Sequence, residues 1–255
     1  MLGPVREVIS SGVVFDFDGT LVDSYTFRNL AYIHAANVLG DYSEVNGREM
    51  DRKVMAGIIS DIELEMSARL LYDRKVWFRE AIRRYNSTPL DVPDKVLSEA
   101  VLGYWNTIIE HSFPYPGTTD LLSSLTAKGI SLGLISDTDG IKGMKLERLR
   151  QSGLRDFFDA VVVSGEDTLE VKPSMQPFLK ICDILRVAPE HCLYVGDNPA
   201  VDVVGAKGIG MKTIIIRNSV SNFHEATTNP DCTVDRKKFG ELKLSIGKLL
   251  RISTS

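Results

Sequence analysis

Asp16 and Asp18 flank a single phenylalanine in the stretch VVFDFDGTLVD, Val13–Asp23. An apolar run that ends in two carboxylates and a glycine is an unusual strand end, because neighbouring like charges disfavour one another's ionisation. Three further apolar runs lead into chemically capable residues. LGLIS leads into Ser136-Asp137, and LYVG is followed by Asp197, with Asp202 five residues on. Lys172 follows a third apolar run and precedes Pro173 at the start of a helical pattern. Each has an ordinary explanation when taken alone: an Asx turn, a capping hydroxyl or carboxylate, a solvated lysine. Together they place these carboxylates, a hydroxyl and a lysine at the ends of successive strands.

Several carboxylates packed together are costly unless a cation neutralises them. The set offers only oxygen donors, and none of the four histidines belongs to it. All-oxygen ligation suits Mg²⁺, which prefers octahedral oxygen and keeps several waters. A lysine and a serine facing such a cation would hold an anion between them. That combination is suited to moving a phosphoryl group.

These residues need a scaffold that brings distant segments to one edge. After the first strand, Ser24 to about His111 carries charge-rich, helix-spaced segments: DIELEMSARLLY, DRKVWFREAIRRY and Lys95–Ile109. Leu64, Ala68 and Leu71 recur at i, i+4 and i+7 and are expected to form a buried helical stripe. From Pro114 onward, strands and helices alternate. A helix capped by Thr118 or Thr119 and stopped at Gly129 precedes strands at Ile130–Ile135, Ala160–Val163, Cys192–Val195 and Thr213–Ile216. Helices are expected at Ile141–Gln151, Met175–Val187, Ala200–Lys207 and Phe239–Leu250, with a short edge strand at Cys232–Val234. Alternating β and α units imply a parallel sheet covered on both faces. In such a sheet the ligand crevice lies outside the carboxyl ends of the strands. The expected architecture is an α/β core, residues 1–23 and 113–255, interrupted by an all-helical insertion, residues 24–112.

The bulk properties narrow the function. A net charge of −4 gives no support for a nucleic-acid binder. Cys182, Cys192 and Cys232 form no CxxC pair, so zinc and redox motifs are unsupported and free thiols are expected. No segment approaches the apolar length of a membrane span, and MLGPVREVISS lacks a signal-peptide core. The expectation is a cytoplasmic enzyme with no membrane or nucleic-acid partner.

DFDGTLVDS, the serine after LGLIS, the lysine of VKP and GDNPAVD resemble, in order and in strand-end context, the four motifs of the haloacid dehalogenase-like superfamily. The resemblance covers Gly12–Asp23 and Pro114–Ile216. The helical insertion is similar to the cap of the phosphoglycolate phosphatase and β-phosphoglucomutase branch. It implies a Rossmann-like core and a Mg²⁺-dependent phosphatase acting on a small phosphorylated metabolite, with phosphoglycolate as the named candidate. On this resemblance Asp16 is the nucleophile and Asp18 the general acid and base. Asp16 and Asp197 bind Mg²⁺ with their carboxylates and Asp18 with its backbone carbonyl. Ser136, Lys172 and amides near Gly19 and Asp137 hold the phosphate. Thr20 orients the turn, and Asp202 anchors the metal's waters or Lys172. Asp137 departs from the small polar residue usual after the motif serine, and its carboxylate is expected to cap the helix near Gly140. A phosphomutase shares every core residue. A 2-haloacid dehalogenase needs neither the metal nor Asp18, so Asp18 and Asp197 argue against it.

Overall fold

The structure is a computed structural model, and it describes residues 11–86, 90–217 and 228–251. In chain order the elements are β1 (Gly12–Phe15), β2 (Val22–Asp23), α1 (Arg28–Val45), α2 (Arg52–Ala68), α3 (Arg74–Tyr85), α4 (Asp94–His111) and β3 (Phe113–Pro114). Then follow α5 (Thr118–Thr126), β4 (Ser131–Asp137), α6 (Met144–Gln151), β5 (Ala160–Ser164), α7 (Met175–Leu185) and β6 (Cys192–Gly196). The chain ends with α8 (Val204–Gly208), β7 (Lys212–Arg217), β8 (Cys232–Asp235) and α9 (Leu242–Leu250). Among the described residues, no helix is long and apolar enough to cross a membrane.

Two compact units emerge. The sheet unit comprises Met1–Asp23, Pro114–Asp137 and Gly153–Ser255. The helical unit comprises Ser24–Phe113 together with Thr138–Ser152, so α6 groups with the helices rather than with the sheet.

The sheet unit is built on six parallel strands in the order β5-β4-β1-β6-β7-β8. β1 is wholly buried, which suits its run of β-branched and aromatic side chains. One face carries Val14, Ile135, Val162, Cys192 and Tyr194 against Phe178, Ile181 and Cys182 of α7. The chain winds from β1 out to β5 and then returns to β6 on the other side of β1. This makes the β1–β6 boundary the switch point where an α/β sheet opens a ligand crevice. Phe15 is level with Val195 and with Leu134, so Asp16 leaves β1 beside Gly196.

Two sequence expectations are corrected here. Thr118 does not cap α5. Gly117 takes that position at φ 85°, while Thr118 is buried and spends its hydroxyl on the Leu21 carbonyl at 3.2 Å. Leu64 and Leu71 do not line a core stripe, being 72% and 49% exposed. α2 begins at Arg52, capped by Asp51, and buries Met55, Ala56, Ile59, Ile62, Glu63 and Met66 instead. Leu64 lies off the face that these residues bury, and Leu71 lies beyond the helix end.

Inside the helical unit an ionic network sits among aromatic rings. Glu63, 6% exposed, accepts from Arg28 at 3.0 Å, Tyr32 at 2.5 Å and Tyr104 at 3.3 Å, with Arg74 at 3.7 Å. Arg74 lies over Trp77 at 3.8 Å and Trp105 at 4.6 Å. It is therefore buried, whereas Arg52, Arg79, Arg83 and Arg84 form the more exposed ion pairs expected of helix surfaces.

Candidate active site

The turn after β1 explains why a strand should end in DFDGT. Asp16 still donates its amide to the Val195 carbonyl at 2.9 Å, so its side chain is delivered by the sheet itself. The chain then reverses. Gly19 sits at φ 75°, a conformation that glycine adopts without steric penalty. Its amide donates to the Val22 carbonyl at 2.9 Å, and Leu21 and Val22 both donate back to the Phe17 carbonyl at 3.0 and 3.2 Å. Asp18 lies within this loop, half-buried and bridged to Val22. The Gly19 amide is thus committed inside the turn. An anion held here would meet the amides near Gly19 rather than the Gly19 amide.

Lys172 is the hub of the site. Its ammonium, on a residue 2% exposed, lies 2.7 Å from Asp16 Oδ1, 2.8 Å from Asp202 Oδ1 and 3.2 Å from the Tyr194 hydroxyl. Tyr194 passes the contact on, donating to Asp202 Oδ1 at 3.2 Å. The other Asp202 oxygen accepts the Asn198 amide at 2.9 Å. Asp202 therefore grips Lys172, one of the two roles the sequence left open for it. Gly196 permits this approach: a Cβ there would stand 2.2 Å from Asp202 Oδ2.

Ligand oxygens of Asp16, Asp197 and Asp202 lie within 4.8 Å of one another, all buried. With Asp18 nearby, Lys172 alone cannot balance this charge. The electrostatics register the deficit. Burial pushes Asp16 up to about 7, against the pull of Lys172 and helped by the charges of Asp202 and Asp18. Burial likewise raises Asp197 well above the carboxylate range, with Asp16 and Asp202 adding to the shift. Lys172 goes the other way: burial would lower it, but Asp16 and Asp202 hold it firmly protonated. Asp197 Oδ2 is buried and meets no donor among the described residues. A buried carboxylate oxygen with no donor, in an all-oxygen cluster short of positive charge, fits a hard divalent cation such as Mg²⁺.

The remaining predicted residues also reach this edge. Ser136 is buried at the end of β4. Asp137 is the correction. Its Oδ1 accepts from the Ser164 hydroxyl and from the Lys172 amide at 3.1 Å, while the Gly140 amide donates to Thr138 Oγ1 at 3.1 Å. Asp137 and Ser164 are level in the β4–β5 register, so a hydroxyl donor faced the carboxylate across the strands. Asp139 instead pairs with Lys145 at 2.8 Å and Arg148 at 3.0 Å in the helical unit. Thr20 is fully buried in the turn, its carbonyl accepting from Arg236 at 2.9 Å.

Two contributors escaped the sequence reading. Tyr194 left a faint cue, since a buried tyrosine hydroxyl in an otherwise apolar strand needs a partner. Arg236 left none, because it lies far along the chain from the turn that it contacts.

A doubly wound parallel sheet with an acid–lysine cluster at its switch point defines an α/β enzyme. The chain belongs to the haloacid dehalogenase-like hydrolase family, whose family model matches residues 11–210. The four-motif reading was therefore correct as to family. The chain is 31% identical over 209 residues to the glyceraldehyde 3-phosphate phosphatase of Methanothermobacter thermautotrophicus, covering 82% of this chain and 86% of that one. It is 29% identical over 244 residues to a phosphoglycolate phosphatase of Salmonella choleraesuis, covering 92% of each. Among solved structures, a phosphatase of the same family from Thermococcus onnurineus superposes with a TM-score of 0.64 at 25% identity, covering 93% of this chain and 98% of that one. A β-phosphoglucomutase-like protein from Thermotoga maritima shares the fold at a TM-score of 0.70 and 19% identity, covering 92% and 99%.

Proposed function

We propose that this enzyme hydrolyses phosphomonoesters of small metabolites through a phosphoaspartate formed at Asp16. The observation that carries the reading is the buried contact of Lys172 with Asp16 at 2.7 Å, beside Asp197, at the sheet's switch point. Asp16 attacks phosphorus as the ester oxygen leaves, and Asp18 donates a proton to that oxygen. Asp18 then takes a proton from the water that attacks phosphorus, the Asp16–phosphorus bond breaks, and phosphate departs. Lys172 and Ser136 bind oxygens of the transferring group, with backbone amides around Asp18 and at Asp137. Asp202 and Tyr194 hold Lys172 in place. Asp16 and Asp197 with their carboxylates, and Asp18 with its backbone carbonyl, would hold Mg²⁺. When bound, the ion neutralises the acid cluster and draws charge from the phosphoryl oxygens.

Relatives named for glyceraldehyde 3-phosphate and phosphoglycolate support a phosphorylated three- or two-carbon substrate, and the helical unit, Ser24–Phe113, is assigned the choice between them. The test is phosphate release from p-nitrophenyl phosphate with Mg²⁺ and with EDTA, followed by a panel of phosphorylated metabolites. Wild type should need the metal, and folded Asp16→Asn should lose nearly all turnover. A folded Asp16→Asn retaining a tenth of wild-type activity would remove Asp16 as nucleophile.

A further inference from the structure

We propose that Arg236 is a positioning residue for the turn that carries Asp16 and Asp18, fixing the orientation of its peptide groups from outside. The inference rests on the catalytic reading of those two aspartates given above. Arg236 follows β8 and is remote in sequence from the turn, yet its two terminal nitrogens close on it. One donates to the Gly19 carbonyl and the other to the Thr20 carbonyl at 2.9 Å. The guanidinium is itself sandwiched by rings, 3.8 Å from the centroid of Tyr115 and 5.2 Å from that of Phe239. Tyr115 adds its own amide to the Leu21 carbonyl at 2.9 Å, where the Thr118 hydroxyl also donates at 3.2 Å.

Three consecutive carbonyls of the turn, those of Gly19, Thr20 and Leu21, are therefore drawn to donors outside it. The geometry of the peptide bond makes this consequential. In a trans peptide the C=O and the following N–H point in opposite directions. Fixing the Gly19 carbonyl on Arg236 consequently aims the Thr20 amide away from Arg236, and fixing the Thr20 carbonyl keeps the Leu21 amide on the Phe17 carbonyl at 3.0 Å. A turn free to rotate these peptides could present a carbonyl to an anionic substrate, which repels it, in place of an amide. Arginine suits the task because its planar fork spans two acceptors while its face stacks on an aromatic ring. Lysine could retain the charge and one of the two bonds, but not the fork.

The experiment compares Arg236→Lys and Arg236→Gln with wild type, using p-nitrophenyl phosphate and saturating Mg²⁺. Lys238→Gln, an exposed neighbour that pairs with Glu241 at 3.7 Å, serves as background. Misplacing reacting groups by about 1 Å can cost on the order of 10²-fold in rate. Arg236→Gln should therefore lose roughly ten- to a hundredfold in kcat. KM should change far less than kcat, Arg236→Lys should fall between the two, and Lys238→Gln should match wild type. Activity is normalised to folded protein measured by circular dichroism. If both Arg236 variants keep wild-type kcat per folded molecule, or if their loss follows only the folded fraction, the positioning role is overturned. Asp16→Asn is assayed alongside. An active Asp16→Asn sinks the catalytic reading, whereas an inactive Asp16→Asn with a wild-type-like Arg236→Gln sinks only the role of Arg236.

Discussion

Gly196→Ala adds one methyl group, and the structure says where it lands. The new Cβ would lie 2.2 Å from Asp202 Oδ2, 2.5 Å from its Cγ and 2.9 Å from its Cβ. Ordinary contact demands that the carboxylate retreat by about 1 Å, and crowding of this kind in a packed interior costs roughly 1–3 kcal/mol. Asp202 has little room to yield, being 1% exposed and tied to Lys172, Tyr194 and the Asn198 amide. Its retreat drags or releases Lys172, which in turn steadies Asp16 at 2.7 Å. A displacement of about 1 Å among positioned groups predicts a loss of about 10²-fold in kcat. Both effects are measurable: kcat on p-nitrophenyl phosphate and stability by urea unfolding. A double-mutant cycle isolates the cause. In an Asp202→Gly background all three obstructing atoms, the Cβ included, are gone, so Gly196→Ala should cost little further stability. If Gly196→Ala keeps more than half of wild-type kcat, or if its stability cost persists undiminished beside Asp202→Gly, the clash argument is wrong.

Other expectations follow from the same geometry. Asp18→Asn should lose on the order of 10²–10⁴ in rate for alkyl phosphates and less for p-nitrophenyl phosphate, whose leaving group needs little protonation; an equal loss on both would count against leaving-group protonation. Asp197→Ala should sharply raise the Mg²⁺ needed for half-maximal activity, and Ca²⁺ should inhibit wild type because it takes more ligands at longer distances; full activity in Ca²⁺ or EDTA would remove the metal. Glu63→Gln leaves Arg28 and Arg74 without their carboxylate and should destabilise the protein by about 3–5 kcal/mol in urea unfolding. Burial alone would raise the Glu63 pKa, but Arg28, Arg74 and the two tyrosine hydroxyls outweigh it and hold it below the ordinary value. Its stabilisation is therefore present above the unfolded carboxyl's pKa and is lost as pH falls through the lowered folded one, so wild type and Glu63→Gln should converge in stability only below about pH 4.

The acid set was legible because its residues occupy strand ends, and strand ends follow from apolar runs of fixed length. Asp16, Lys172, Asp197 and Asp202 could be gathered on one edge from their order alone. What resisted reading was decided by partners remote in sequence. Asp137 chose between a nearby helix and Ser164 on the adjacent strand, and only the β4–β5 register reveals the second option. The α2 stripe failed because two apolar spacings overlap in this segment, and the one through Met55, Ile59, Ile62 and Met66 packs while Leu64 faces out. Thr118 looked like a cap because hydroxyls usually serve there, but a carbonyl from the first motif claimed it.

The position of β1 has a consequence for biosynthesis. It leaves the ribosome before its sheet neighbours β4 and β6, which begin only at Ser131 and Cys192. Until they emerge, an apolar strand with two unpaired edges precedes in the chain a helical segment that holds its own core of Trp77, Phe78, Tyr104 and their neighbours. Exposed edges of this kind recruit other chains. Truncated nascent chains ending between Phe113 and Ser131 should therefore be more prone to aggregation, and more in need of chaperones, than chains that extend past β6.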